Sequence, residues 1–208
     1  MYLKDRNKMT IKLIVEKLER SAKKFITSKE IKSYCIKLSI NYLSSVKYLI
    51  RHKHIARIFK GVFYVYSIKE RKLGALEMDF YIIIAEALRI KGVKKWYFGL
   101  ETGLKFNNLT HESFVIDFVL TDSLFRSRPM MIMERKVKFY KLVPKMFSFG
   151  IIKREVYYSD SEKTALDLLH LKHYNAAEFE EVSEKLSRTK LIKYAKKYPL
   201  SLQRRLTL

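Results

Sequence analysis

The sequence predicts an α+β protein in two units: an N-terminal helical unit closed by a β-hairpin, then a mixed α+β domain with a small sheet and C-terminal helices. Three observations lead there. Residues 10–53 repeat their apolar positions at helical spacing. Two β-rich runs flank Lys60-Gly61. Strand-like runs between 113 and 158 then give way to helical periodicity. A length of 208 residues is enough chain for two cores. The units are expected at 1–68 and 75–208, joined by the polar stretch Ser67 to Gly74.

Thr10 is placed to cap a first helix whose stripe is Ile11, Ile14, Val15, Leu18, Ala22 and Phe25. Thr27-Ser28-Lys29-Glu30 forms a capping box, in which Thr27 and Glu30 satisfy each other's backbone donors. The helix it opens turns Ile31, Tyr34, Cys35 and Leu38 to one side, so Cys35 reads as a packed residue. After Ser39-Ile40, a third helix spans about Asn41 to Lys53. Steps of 100° put Leu43, Val46, Leu49 and Ile50 inward. Asn41, Ser44, Tyr48, Arg51 and His52 then face outward, with Ser45 and Lys47 at the flanks. Ile55–Phe59 and Val62–Tyr66 complete the unit as strands around a glycine turn.

Helix, capped helix, short turn, helix and hairpin is the order of a winged helix-turn-helix. The outward face of the third helix is small, polar and basic, which suits major-groove base edges. The expected DNA contacts are therefore Asn41, Ser44, Ser45, Lys47, Tyr48, Arg51 and His52 on the helix, with Arg57, Lys60 and Gly61 in the wing. Arg57 and Lys60 would hold phosphates and position rather than specify.

The charge agrees with that reading. The chain carries 43 Lys and Arg against 21 Asp and Glu, a formal net charge of +22. Residues 1–70 hold 17 of the basic residues and only 5 acids. Charge on this scale points to a polyphosphate partner, because each neutralised phosphate releases counterions. One segment, Asp160 to Ser187, reverses the trend with seven acids and three lysines. It reads either as a docking surface, as a solvated helix face, or as a brake on self-repulsion that holds the chain's own Lys-rich end, Lys190 to Arg205.

Other classes are excluded or weakened. Apolar residues make up 48% of the chain, so wholesale disorder is excluded. One cysteine cannot build a disulfide framework or a cysteine zinc finger. No stretch is long and apolar enough to span a bilayer, and no apolar segment follows Met-Tyr-Leu-Lys-Asp-Arg as a signal peptide would require. A cytoplasmic protein with no membrane partner is expected.

The second unit shows no recognisable chemistry. A helix is expected over 75–90 and a short one over 98–106, then strands over 113–120, 130–143 (one long or two short) and 151–158. A capping box at Ser159 to Glu162 would open further helices, with others over 176–186 and 190–198. No phosphate-cradling glycine loop is present; Gly99 and Gly103 lack the spacing and the following Lys. Asp167, His170 and His173 could share a metal but drift around their helix. Asp117, Glu134 and Lys136 resemble a nuclease's acid-x-Lys strand, which keeps a metal-dependent nuclease as an alternative. A basic structural or ribosome-associated protein is a further alternative. The leading expectation is a non-enzyme with no cofactor and no metal.

Several segments resemble one family in order along the chain. Thr27-Ser28-Lys29-Glu30-Ile31, Ser44-Ser45-Val46, Tyr48-Leu49-Ile50 and Ile58 to Val65 are similar to the N-terminal domain of the AbiEi-type antitoxins and related transcriptional regulators. Trp96 to Leu104 resembles the family's aromatic-Gly-Leu helix, and Tyr157 to Asp167 its Glu-Lys-Thr helix start. The resemblance implies a two-part regulator. Its winged helix would bind inverted repeats in its own promoter and repress the operon, as a homodimer on DNA would allow. Its second domain would oppose a nucleotidyltransferase-type toxin of a type IV toxin–antitoxin system. A stand-alone repressor of the same build, without a toxin, is the alternative.

Overall fold

The computed structural model describes residues 2–204 and 206, with side chains from residue 10 onward. The protein is mixed α+β and separates into two compact units, Met1–Gly92 and Val93–Leu208. The division falls at Gly92, so two helices after the hairpin belong with the first unit. Arg205 lies outside the described residues.

In the first unit α1 (Tyr2–Arg20) buries Ile11, Ile14 and Leu18 at the expected spacing. It starts well before Thr10, which therefore sits inside the helix rather than capping it. It also stops before Phe25: Ala22 turns to φ 50°, and Phe25–Thr27 becomes a strand, β1. The reason is pairing, since Ile26 lies opposite Phe63 of β3 (Val62–Val65) and is buried there. The Thr27–Glu30 box opens α2 (Ser28–Lys37) as expected. Next come α3 (Tyr42–Arg51) and β2 (Ile55–Phe59), giving a sheet in the order β1-β3-β2.

Helices α2 and α3 end alike. Ser39 and Lys53 take left-handed φ of 53° and 51°. Ile40 N–H then reaches the Cys35 carbonyl, and His54 N–H the Leu49 carbonyl, each closing a Schellman motif. Ile14, Leu18, Ile31, Cys35, Val46, Leu49 and Phe63 meet in one core. The connector expected at 67–74 is itself helical: Ser67 and Glu70 form a capping box for α4 (Ile68–Leu73), which ends on Gly74 at φ 67°. The following helix, α5, is shorter than expected at Phe80–Ile90, because Asp79 accepts from the Tyr81 and Ile82 amides and sets its start.

Glu70 ties these pieces together while only 3% exposed. Its carboxylate accepts from Tyr64 Oη at 2.6 Å, Ser67 N–H at 2.7 Å and Glu77 N–H at 2.9 Å, and lies 3.3 Å from Lys24 Nζ. Burial opposes its ionisation, but these donors outweigh burial and hold its pKa below the ordinary 4.5.

The second unit is built on a mixed six-stranded sheet, ordered β6-β7-β5-β4-β9-β8. The strands are β4 (Trp96–Phe98), β5 (Ile116–Thr121), β6 (Met130–Ile132), β7 (Arg135–Lys141), β8 (Ile151–Lys153) and β9 (Tyr157–Ser159). β5 pairs parallel with β7 and β4 parallel with β9; the remaining neighbours are antiparallel. α6 (Glu101–Phe106) follows β4, so the helix expected over 98–106 begins three residues late. The run 130–143 splits in two because Met133 and Glu134 take φ of 46° and 68°, the two positive values of a tight hairpin turn. The run 151–158 also folds back on itself as a hairpin.

α7 (Ser161–His170) is capped by Asp160, whose side chain accepts from Lys163 N–H, one residue later than expected. Ser159 is instead buried, with its hydroxyl 2.6 Å from Thr164 Oγ1. α8 (Ala176–Ser183), α9 (Arg188–Ala195) and α10 (Leu200–Gln203) follow, and Leu191, Ala195 and Leu202 join Leu166 and Leu169 in the core.

A charged pair lies inside that core. Lys163 and Asp167 are both fully buried, one turn apart on α7, with Nζ 3.3 Å from Oδ1. Tyr97 and Tyr198 donate their hydroxyls to Asp167 at 2.8 and 2.6 Å. The ammonium also sits over the rings of Phe149 and Tyr97, at 4.4 and 4.9 Å from their centroids. Gly150 is required here: it has φ 62°, and a Cβ would stand 2.8 Å from Lys163 Cβ.

Two outcomes follow from these buried charges. A group with depressed folded pKa stabilises above its ordinary value and loses that contribution as pH falls. Unit 1 should therefore weaken on acidification through and below pH 4.5, and Glu70→Gln should flatten that dependence while lowering stability at neutral pH. Urea denaturation across pH reads both. Asp167→Ala would strand the Lys163 ammonium and cost about 3–5 kcal/mol. Lys163→Met together with Asp167→Asn should cost less than Asp167→Ala alone, since no unpaired charge remains.

Candidate nucleic-acid interface

The orientation of α3 decides which side chains can meet a partner. Ser45, Val46 and Leu49 are buried, and Tyr42 and Tyr48 are half-buried beside them. The inward direction is thus rotated by roughly 60° from the one the apolar pattern predicts, at 100° per residue. Leu43 and Ile50, expected inside, are 66% and 36% exposed.

Ser45 explains the rotation. Its hydroxyl donates to the Asn41 carbonyl at 2.7 Å, so it enters the core with its polar atom already satisfied. Being small, it also allows close approach. Ser45 is therefore withdrawn from any partner, contrary to expectation. Asn41 is not a free reader either. It is the N-cap of α3, and its Oδ1 accepts from Ser44 N–H at 3.0 Å. A bidentate contact to adenine needs that oxygen together with the amide.

Ser44, Lys47 and Arg51 remain exposed and point the same way. Tyr48 and His52 form the other flank, their rings 4.2 Å apart, with the His54 ring stacked on Tyr48 at 6.3 Å. His54 Nδ1 lies 2.8 Å from Arg71, which is itself paired with Glu19. Burial, followed by the neighbouring Arg71 cation, pushes the pKa of His54 down. The exposed end of this flank is His52, the C-cap residue.

The hairpin adjoins the start of α3 through Ser28. Ser28 N–H donates to the Gly61 carbonyl at 2.9 Å, and the Tyr42 hydroxyl donates to Ser28 Oγ at 2.9 Å. One residue thus joins the hairpin tip, the head of α2 and the first turn of α3. Gly61 is needed for its φ of 89°. Lys60 is exposed, while its carbonyl accepts from Lys91 Nζ at 3.0 Å. Arg57 is exposed with its guanidinium 5.6 Å from the Phe63 ring centroid, and a bulge sits between it and Phe59.

No acid occurs anywhere between Ile31 and Lys69, an interval holding Lys47, Arg51, Lys53, Arg57 and Lys60. The acids bordering it are engaged elsewhere, Glu30 by Thr27 and Lys23, and Glu70 within its buried cluster.

The other candidate groups do not converge. Glu134 sits in the turn between β6 and β7, and Asp117 pairs with Arg135 at 2.8 Å. The nuclease triplet therefore has no shared face. Asp167 is held by Lys163 and two tyrosines. His170 packs on Tyr198, and His173 lies between Glu101 and Tyr140, 2.8 and 2.9 Å away. Among the described residues no group of three metal-binding side chains comes together, and no helix is long and apolar enough to cross a membrane. In the acidic stretch, Asp160 and Glu162 grip Lys190, the third of the roles open to them.

The capping role of Asn41 has a direct test. Asn41→Ala should destabilise unit 1 by about 1 kcal/mol, and Asn41→Ser should restore most of that loss. Thermal unfolding of the three proteins checks it. If Asn41 also read bases, Asn41→Ser would remain defective in binding while regaining stability.

No family model matches the chain, and no curated protein matches it in sequence. Among solved structures it is similar to the crystal structure of the RV2827C protein from Mycobacterium tuberculosis. The identity is 9% and the TM-score 0.63, over 95% of this chain and 74% of that one. At that identity the likeness is one of fold.

Proposed function

We propose that the chain is a sequence-specific DNA-binding regulator whose first unit works as a winged helix-turn-helix. In this reading α3 enters the major groove and the β2–β3 hairpin is the wing, lying along the backbone. The observation that carries it is the outward face of α3. Ser44, Lys47 and Arg51 are exposed together, in a stretch of chain that contains no acid. Lys60, at a hairpin tip tied to the same corner by Ser28, supports the wing assignment. Base contacts are assigned to Ser44, Lys47 and Arg51, and phosphate contacts to Arg57 and Lys60.

The regulatory role rests on the resemblance of residues 27–65 and 157–167 to the AbiEi-type antitoxins. The chain would repress its own promoter through inverted repeats, and unit 2 would oppose a nucleotidyltransferase-type toxin. No catalysis and no cofactor is asked of this chain in that arrangement. A repressor acting without a toxin would use unit 1 in the same way.

A footprint on the DNA upstream of its own gene is the decisive experiment. Protection of an inverted repeat is expected. Arg51→Ala should cost about 1–3 kcal/mol on that site and relax sequence preference. Lys60→Ala should weaken every sequence alike and lower the salt slope by about 1. Binding that ignores sequence, or no binding, would reject the reading. Growth rescue from a co-expressed nucleotidyltransferase encoded beside the gene would test the antitoxin role separately.

A further inference from the structure

The exposed face of α3 is not purely polar. Leu43 is 66% exposed and Ile50 36% exposed, and with Lys47 they form one row at i, i+4, i+7. Two large aliphatic side chains left in water on one stripe offer an occupant apolar surface. The charge around them says which kind. The row runs beside Ser44, Lys47 and Arg51, within the acid-free interval 31–69. An apolar partner protein would have to bury those cations against its own surface, whereas a polyanion would be drawn to them. The occupant must therefore be a polyanion that also presents apolar groups.

Thymine in duplex DNA fits both demands. Its C5-methyl projects into the major groove beside phosphate-lined walls. RNA meets only the first: it is a polyanion, but uracil lacks the methyl, and the A-form major groove is too deep and narrow for side chains. The position of Leu43 strengthens the case. It is the second residue of α3, and the N-terminal residues of a groove-entering helix are the ones that reach base edges. Its direction is fixed from behind by the buried Ser45 and Val46, and the first turn is anchored by the Tyr42–Ser28 bond.

We infer that Leu43 and Ile50 read thymine methyl groups, making α3 selective for T-containing duplex DNA over the same sequence as RNA. This rests on the DNA-binding reading above. It adds the base class recognised and assigns it to two residues that the apolar pattern had placed in the core.

The experiment uses the full chain and a duplex carrying a site selected from a random DNA library. Each thymine is replaced in turn by deoxyuridine, which removes only the methyl. Wild-type protein should bind roughly fourfold more weakly at one or more positions, the loss expected for one unburied methyl. Leu43→Ala or Ile50→Ala should already show that loss and respond no further at its own position. Leu43 is 66% exposed, so Leu43→Ala should melt with the parent; Ile50 is 36% exposed and partly packed, so Leu43→Ala decides the outcome if Ile50→Ala melts early. Sequence-selective binding by wild type that is indifferent to every deoxyuridine would overturn the inference and leave the DNA reading intact. Failure to select any sequence would overturn both. A Leu43→Ala protein that loses a dimer by light scattering but keeps the wild-type deoxyuridine response would assign Leu43 to a second copy of the chain, and the inference would fall. An RNA duplex of the selected sequence should bind at the level of random DNA.

Discussion

Everything presented to solvent by α3 depends on where one hydroxyl finds its acceptor. A serine carried into a core normally costs about 1–3 kcal/mol if its oxygen is unpaired. Ser45 avoids that cost without help from a neighbouring element, because the Asn41 carbonyl lies one turn back along its own helix. The bond leaves the helix free to turn until Ser45, Val46 and Leu49 face the core. Once they do, Lys47 and Arg51 must face out, and so must Leu43 and Ile50. The Schellman ends at Ser39 and Lys53 and the Tyr42–Ser28 bond then hold that rotation.

Each unit also encloses a charged group that joins segments distant in sequence. Glu70 gathers β3, the head of α4, the approach to α5 and Lys24 ahead of β1. Asp167 gathers β4 through Tyr97, the region after α9 through Tyr198, and its own helix through Lys163. Such clusters are weak sources of net stability, because desolvation consumes much of the attraction. Their geometry is nonetheless demanding, since every donor must arrive together or a buried group is left unpaired. The hairpin thus stands, through Tyr64, on a base fixed by Glu70.

Local signals were legible wherever the chemistry was local. The Thr27–Glu30 box, the turn at Lys60-Gly61 and the stripe of Ile11, Ile14 and Leu18 are all decided by residues a few positions apart. Much of what escaped was decided by distant partners. Phe25 continues a helical stripe, yet residues 25–27 pair with β3 and become a strand. The rotation of α3 escaped because a pattern count ranks Leu above Ser, and nothing in the count knows that Ser45 has an acceptor in reach. Ser67 and Glu70 have the spacing of a capping box, but the polar stretch around them reads as a connector because Glu70's role depends on Tyr64 and Lys24. Lys163 and Asp167 stand at i, i+4 on their helix, a spacing that by itself does not say whether the pair is buried. Only the surrounding Tyr97, Phe149 and Tyr198 make them a core element.

The total charge takes on meaning from the placement of the acids rather than the number of bases. In unit 1, Glu19 holds Arg71, Glu30 holds Lys23, Glu77 holds Lys24, and Glu86 holds Arg89. None of those cations belongs to α3 or the hairpin. An anionic partner approaching α3 therefore meets Lys47, Arg51 and Lys60 with no carboxylate in the neighbouring sequence to compete for them. In unit 2 the balance runs differently, for Asp160 and Glu162 neutralise Lys190 and Asp117 neutralises Arg135. Long-range attraction scales with unneutralised charge within about a Debye length, roughly 8–10 Å at physiological salt. A chain basic throughout would bind polyanions on every side. Acid-free segments occur in both units, 31–69 in the first and 135–154 and 185–208 in the second, and it is within 31–69 that Leu43 and Ile50 would add a preference that charge alone cannot supply.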